Sequence, residues 1–346
     1  MAMVAAERTL MFQEAASAGD AVERQFGGTG DVMADILRSI AAAPPTMVVT
    51  CARGSSDHAA TFAKYAFERQ LGWVTASAAP SVSSIYQAPL KLRGSLFLAI
   101  SQSGKSPDLL EAVQLASRQG ARTLALVNAP DTPLSKIADW TLPLCAGPEN
   151  SVAATKSYIA SLAAIARIAG SIERNDPGIA PDLARLPELL RAAWQLDWSP
   201  MAAALQDSRG LFVLGRGPGL AIAQEAALKF KETCGIHAEA FSAAEVRHGP
   251  MALAATGLPM LIFRQDDESA SGVDALIKEL LAIGAKLIVT GPGDGAAIAL
   301  PLVDAPASLQ PMLQIQSFYG AINGLAVLRG HDPDRPPLLR KVTETV

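Results

Sequence analysis

Ser101, Gln102, Ser103 and Ser106 fall within six residues of one another in 100-ISQSGKSPD-108, directly after the apolar run Leu96–Ile100. Three hydroxyls and an amide at a strand end suit an anion. A nucleotide-binding Walker A loop would need a glycine five residues before Gly104, where Ala99 stands inside the predicted strand. A hydrolase elbow around Ser103 would need glycines where Ser101 and Lys105 stand. Both readings fail. Ser106 is a good N-cap, Pro107 a good first helical residue, and Gly120 a good stop. Free N–H groups and the positive end of a helix dipole would then meet a phosphate monoester just past a strand. The alternative, a serine-rich turn with an ordinary cap, stays open on these residues alone.

Further along, Glu232 sits in 226-AALKFKETC-234, a helical pattern with one apolar face and few other charges, with Lys229 one turn earlier. A partly desolvated carboxylate of raised pKa is what a proton shuttle at carbon requires. The competing reading is a solvent-facing glutamate paired with Lys229. His248 precedes Gly249-Pro250, which stops a helix, so it is expected at an element end or in a loop. Lys341 lies in 336-PPLLRKV-342, a tail apolar enough to dock and carry the lysine into a site. His58 and His237 read as local hydrogen-bonding residues. Arg53, Lys105 and Glu149 border the predicted site without an assigned role. No cofactor and no metal are expected: the four histidines are scattered, and Cys51, Cys145 and Cys234 are too far apart for a knuckle or a disulfide framework.

The elements that must hold these residues form an α/β pattern. Thr46–Thr50, Ser95–Ile100, Thr123–Val127 and Trp140–Leu144 read as buried strands. Ser56–Arg69, Ser106–Arg118 and Thr155–Ile172 read as helices between them, which implies a parallel sheet covered on both faces. The plan then repeats. An offset of 163 places 48-VVTCARG-54 on 211-LFVLGRG-217 and 94-GSLFLAISQSG-104 on 257-GLPMLIFRQDD-267. With one more residue, 120-GARTLALV-127 falls on 284-GAKLIVTG-291. Two similar α/β domains joined by a helical stretch near 182–195 follow. The second copy reads 264-RQDDESAS-271, with three acids where an anion would sit, so one phosphate site per chain is expected.

Half of the 346 residues are apolar, 18% are charged, and the formal net charge is −4. That composition describes a globular chain with no support for a nucleic-acid partner. Glu7, Arg8 and Glu14 interrupt the N-terminal segment, which therefore reads as an amphipathic helix rather than a signal peptide. No run is long enough for a membrane span. A reduced cytoplasmic setting is expected.

The stretch 100–108, with 51-CARGSSDHAA-60, 146-AGPENSVAATKSY-158, the block 225–250 and the tail 335–346, resembles the sugar-isomerase (SIS) domain family over nearly the whole chain. The likeness extends to the isomerase half of glucosamine-6-phosphate synthases and to SIS-type glucosamine-6-phosphate deaminases. It implies two tandem SIS domains, each a flavodoxin-like three-layer sandwich, at 31–180 and 201–335. A helical segment over 1–30, a connector over 181–200 and a site-forming tail over 336–346 complete the layout. By the same resemblance Ser101, Gln102, Ser103 and Ser106 hold the sugar phosphate, and Ser56, Val152 and Ala154 line the sugar. Glu232 moves a proton between C1 and C2, with Lys229 beside it. His248 opens the ring in the neighbouring subunit's site, and Lys341 meets the C1–C2 end. Ala154 stands where the synthases usually have serine. No glutaminase domain is present in the sequence, which makes ammonia release the expected direction: glucosamine 6-phosphate to fructose 6-phosphate by a homodimer. Galactosamine-6-phosphate deamination, fructosamine-6-phosphate cleavage and a non-catalytic sugar-phosphate-binding regulator are the alternatives.

Overall fold

A computed structural model describes residues 6–129, 131–292 and 297–341. The last residues of the expected tail, 342–346, and the first five of the expected N-terminal segment lie outside the described residues. The chain divides into two compact units. One contains Asp20–Glu149 and Lys156–Arg185; the other contains the chain up to Gly19, Asn150–Thr155 and Leu186–Lys341.

Each unit is built on a five-stranded, wholly parallel sheet. In the first the strands are β1 (Val48–Cys51), β2 (Thr75–Ser77), β3 (Leu96–Ser101), β4 (Arg122–Val127) and β5 (Trp140–Pro143), in the order β2-β1-β3-β4-β5. In the second they are β6 (Gly210–Gly215), β7 (His237–Ser242), β8 (Met260–Phe263), β9 (Leu287–Thr290) and β10 (Ile298–Leu300), in the order β7-β6-β8-β9-β10. The two orders are the same once the halves are superposed in sequence, so the repeat in the chain is a repeat in topology. It reaches single dihedrals: Gly54 and Gly217, paired by the 163-residue offset, have φ of 57° and 54° as the chain leaves β1 and β6. Only glycine adopts that turn at low cost.

Buried aliphatic side chains explain the strands. All four residues of β1, all six of β3 and all four of β8 and β9 are buried, as strands covered on both faces must be. The edge strands β2 and β7 bury few residues and do not stand out as apolar runs. Helices Ser55–Leu71, Pro107–Arg118 and Lys156–Arg174 appear in the first unit where the pattern placed them. Each sheet is followed by a 19-residue helix with most of its surface buried, Lys156–Arg174 in one unit and Gln310–Leu328 in the other. The expected connector is helical over Pro181–Ala184 and Leu186–Trp194. The N-terminal helical segment is longer than its single expected helix, with helices at Leu10–Ala16, Ala18–Gly28 and Gly30–Ala42. Among the described residues no helix is long and apolar enough to cross a membrane.

Candidate functional site

In the first unit, strand order reverses between β1 and β3, the crevice where open α/β sheets take ligands. Cys51 pairs with Ala99, which sets the turn Arg53–Ser56 beside the loop Ser101–Ser106. Ser101 closes β3 and is buried; Gln102, Ser103 and Ser106 are half-buried. The Ser101 hydroxyl accepts a hydrogen bond from Gly104 N at 3.0 Å, and Ser103 Oγ accepts one from Lys105 N at 3.4 Å. These bonds curl the loop over the strand end. Gly104 is obligatory there: its φ is 63°, and an added Cβ would lie 2.5 Å from Thr132 Oγ1. Ser106 takes the extended N-cap conformation ahead of Pro107, yet its side chain makes no capping bond. The cap expected from the sequence is therefore a cap in backbone position only, and the hydroxyl remains available to a ligand. Ser56 is half-buried in the first turn of Ser55–Leu71, the helix that leaves β1.

Of the charged residues expected to border the site, Arg53 and Glu149 serve the framework. Arg53 Nε and Nη2 donate to the same oxygen of buried Asp108 at 2.9 and 2.7 Å, tying the end of β1 to the first turn after Ser106. Asp108 Oδ1 in turn accepts from Leu109 N at 2.8 Å. Glu149 is buried and accepts from Ser157 N and Oγ at 3.1 and 2.5 Å, which caps the Lys156–Arg174 helix. Lys105 is exposed. Burial, reinforced by the Asp108 charge and opposed by Arg53, pushes the Cys51 thiol up to about 12, so it is no nucleophile.

The repeat-equivalent crevice in the second unit is filled by its own side chains. Arg264, at the position of Ser101, is ion-paired with Asp266 and, at 2.6 Å, with Asp274. Gln265, at the position of Gln102, is buried and donates to Gln314 Oε1 at 2.7 Å. The helix Gly219–Cys234, which leaves β6, starts so close that a Cβ on Gly219 would lie 2.3 Å from Gln265 Oε1.

What the second unit offers instead is a buried charge cluster. The helix Gly219–Cys234 runs back from the carboxyl edge of β6, so Lys229 and Glu232 lie toward the amino edge of the sheet. Lys229 is fully buried, its Nζ 3.1 Å from Glu225 Oε1 and 2.7 Å from Glu232 Oε2. Glu225 is also fully buried and accepts a hydrogen bond from the Tyr319 hydroxyl at 3.0 Å. Glu232 alone of the three retains access, with 20% of its side chain exposed. Burial on its own would lower the Lys229 pKa; the Glu225 and Glu232 carboxylates outweigh it and hold the ammonium above its ordinary value. Pairing with Lys229 was foreseen, but the pair is not on a solvent-facing surface. Glu225 was missed although its i,i+4 spacing to Lys229 is visible in the sequence. Tyr319 comes from a distant helix and left no local signal.

The same unit assembles Val152, Ala154 and Lys341. Residues 150–155 were expected with the first lobe; they cluster with the second unit. Buried Glu14, also missed, accepts from the backbone of Asn150 and, at 3.2 Å, of Ser151. Val152 N donates to Asp334 O at 3.2 Å, while the Asp334 carboxylate accepts from Leu10 N and Met11 N at 2.7 Å each. Lys341 Nζ donates to Ser151 O at 2.7 Å. Ser151 and Ala153 are buried, which leaves Val152 and Ala154 on the accessible side of the segment. His248 ends the 3-10 turn Glu245–His248 and is exposed. Among the described residues no group of histidine, cysteine, aspartate or glutamate side chains could hold a metal ion.

Two parallel five-stranded sheets of one order, with a hydroxyl-lined loop at one switch point, define a duplicated α/β fold. The SIS domain model matches residues 44–169 and 204–294, and the chain belongs to the SIS-domain family. It is 33% identical over 330 residues to a glutamine–fructose-6-phosphate aminotransferase (isomerizing) from Thermococcus kodakarensis, covering 89% of this chain and 54% of that protein. The chain thus spans about half the length of the curated relatives it matches. Among solved structures, a Silicibacter pomeroyi protein assigned as a phosphosugar isomerase is 39% identical, with a TM-score of 0.88 over 94% of this chain and 100% of that one. The C-terminal domain of the Francisella tularensis glucosamine–fructose-6-phosphate aminotransferase is 25% identical, with a TM-score of 0.84 over 95% and 98%.

Proposed function

We propose that this chain is an amino-sugar-phosphate isomerase that releases ammonia, converting glucosamine 6-phosphate and water to fructose 6-phosphate and ammonia. One observation carries the reading: a fully buried lysine is shared by two carboxylates, of which only Glu232 retains solvent access. A carboxylate fixed in place by a buried ammonium, on a helix otherwise packed in apolar surroundings, is suited to moving a proton at carbon. The aminotransferase relatives support the substrate class, since their name joins an amino group to fructose 6-phosphate by isomerisation.

In this reading Ser101, Gln102, Ser103 and Ser106 hold the phosphate, with Ser56, Val152 and Ala154 along the sugar. His248 opens the ring, acting across a homodimer interface. Glu232 takes the C2 proton of the open-chain aldose while O1 gains one, giving an enolamine; the same carboxylate returns a proton to C1. Loss of the N–H proton leaves an imine at C2, and water adds there and expels ammonia. Lys341 orients the O1 end. Water at C2 is the only co-reactant the release of ammonia requires.

The test is ammonia release from a panel of amino-sugar 6-phosphates. Glu232→Gln is expected to lose turnover by roughly 10²–10⁴-fold, and a variant that still turned over at the wild-type rate would remove Glu232 from this role. Mixing inactive Glu232→Gln and His248→Asn subunits should restore part of the activity if the histidine acts in the partner's site. No recovery after subunit exchange would count against the shared site.

A further inference from the structure

We infer that Tyr319 is a positioning residue for the proton transfer, acting on Glu232 through Glu225 and Lys229; the inference rests on the reading of Glu232 as the base. The four side chains form one continuous path, buried as far as Lys229 and opening to solvent at Glu232. Tyr319 Oη donates to Glu225 Oε1 at 3.0 Å, that same oxygen lies 3.1 Å from Lys229 Nζ, and Lys229 Nζ donates to Glu232 Oε2 at 2.7 Å. Tyr319, Glu225 and Lys229 are fully buried.

The two carboxylates compete for one ammonium, and the geometry shows which holds it more closely. Lys229 is 0.4 Å nearer Glu232 than Glu225. Tyr319 supplies the reason: its hydroxyl gives Glu225 a second donor, so a buried carboxylate is stabilised without drawing Lys229 fully to itself. The Gln310–Leu328 helix fixes the phenol against the Gly219–Cys234 helix through the edge-on packing of Phe318 on Phe230, ring centres 5.4 Å apart. Without that hydroxyl, Glu225 loses a neutral donor and draws more on Lys229. The ammonium shifts toward it, and Glu232 loses the contact that fixes its carboxylate.

The experiment compares Tyr319→Phe with wild type on unlabelled and C2-deuterated glucosamine 6-phosphate. The expected result is a kcat lower by about tenfold, KM changed less than twofold, and a larger C2-deuterium isotope effect on kcat, because proton transfer alone becomes slower. A structural role would leave the isotope effect unmoved. Where Tyr319→Phe fails to fold, Glu225→Gln keeps an acceptor for the phenol while removing the competing charge; a changed isotope effect with steady KM is again expected. Wild-type kcat and isotope effect in either folded variant overturn the inference. Glu232→Gln, run alongside, separates the two claims. If it is active, the base is misassigned; if it is inert while Tyr319→Phe behaves as wild type, only the role of Tyr319 falls.

Discussion

Replacing Lys229 by methionine removes one charge, keeps most of the volume, and leaves Glu225 and Glu232 beside each other with no cation between them. At 2.7 and 3.1 Å and an effective dielectric of about 20, the two attractions are worth roughly 6 and 5 kcal/mol gross. Burying the ions costs several kcal/mol each, so the net penalty for removing one partner of a buried set is about 3–5 kcal/mol. A unit of this size loses about 2–4 °C of Tm per kcal/mol, so the unit holding β6–β10 should melt roughly 6–20 °C lower at pH 7. The pH dependence has a definite sign. In the wild type, Lys229 has a folded pKa above its ordinary 10.5, so its contribution is complete below that value and is lost only at more alkaline pH. Replacing it removes a contribution that is complete across the acidic and neutral range. Differential scanning calorimetry at pH 5 and pH 7 should therefore show a deficit at both values. A variant melting within about 2 °C of wild type at both pH values would refute the reasoning, because a fully buried Glu225 carboxylate that has lost its ammonium partner cannot be that cheap.

Two further outcomes follow. Ser106→Ala should leave Tm nearly unchanged, since the hydroxyl makes no capping bond, whereas a working N-cap is worth about 1 kcal/mol. The same variant, and Ser103→Ala, should raise KM for the sugar phosphate about tenfold with kcat steady, as expected for the loss of a hydrogen bond to a charged group. A lower Tm with unchanged KM would make Ser106 a plain cap. Native alkylation with iodoacetamide at pH 8 should reach Cys145 alone, because burial pushes Cys51 and Cys234 up to about 12 and keeps both out of solvent; early modification of Cys234 by intact mass would contradict this packing.

The sheet cores were legible because they are local. A strand covered on both faces is a continuous apolar run, and β1, β3 and β4 each announce themselves so. The edge strands β2 and β7 did not, since a half-exposed strand of three or six mixed residues carries no such run. The loop Ser101–Ser106 was legible for the same reason as β3: its position follows from where the apolar run stops. That Ser106 makes no capping bond was not, because it depends on where one hydroxyl points.

The sequence by itself determined the duplication, the parallel α/β class and the identity of the phosphate-loop candidates, since each is written in short-range pattern and in the repeat offset. Only the tertiary structure decided the partners. Glu14 reaches Ser151 across 137 residues, Lys341 reaches it across 190, and Tyr319 reaches Glu225 across 94. Burial also had to be seen to be known. The spacing of Glu225, Lys229 and Glu232 fits an exposed ion-pair ladder as well as it fits a buried cluster. The Gln310–Leu328 helix and the sheet β6–β8 settle the choice by excluding water from the first two and leaving an opening at the third.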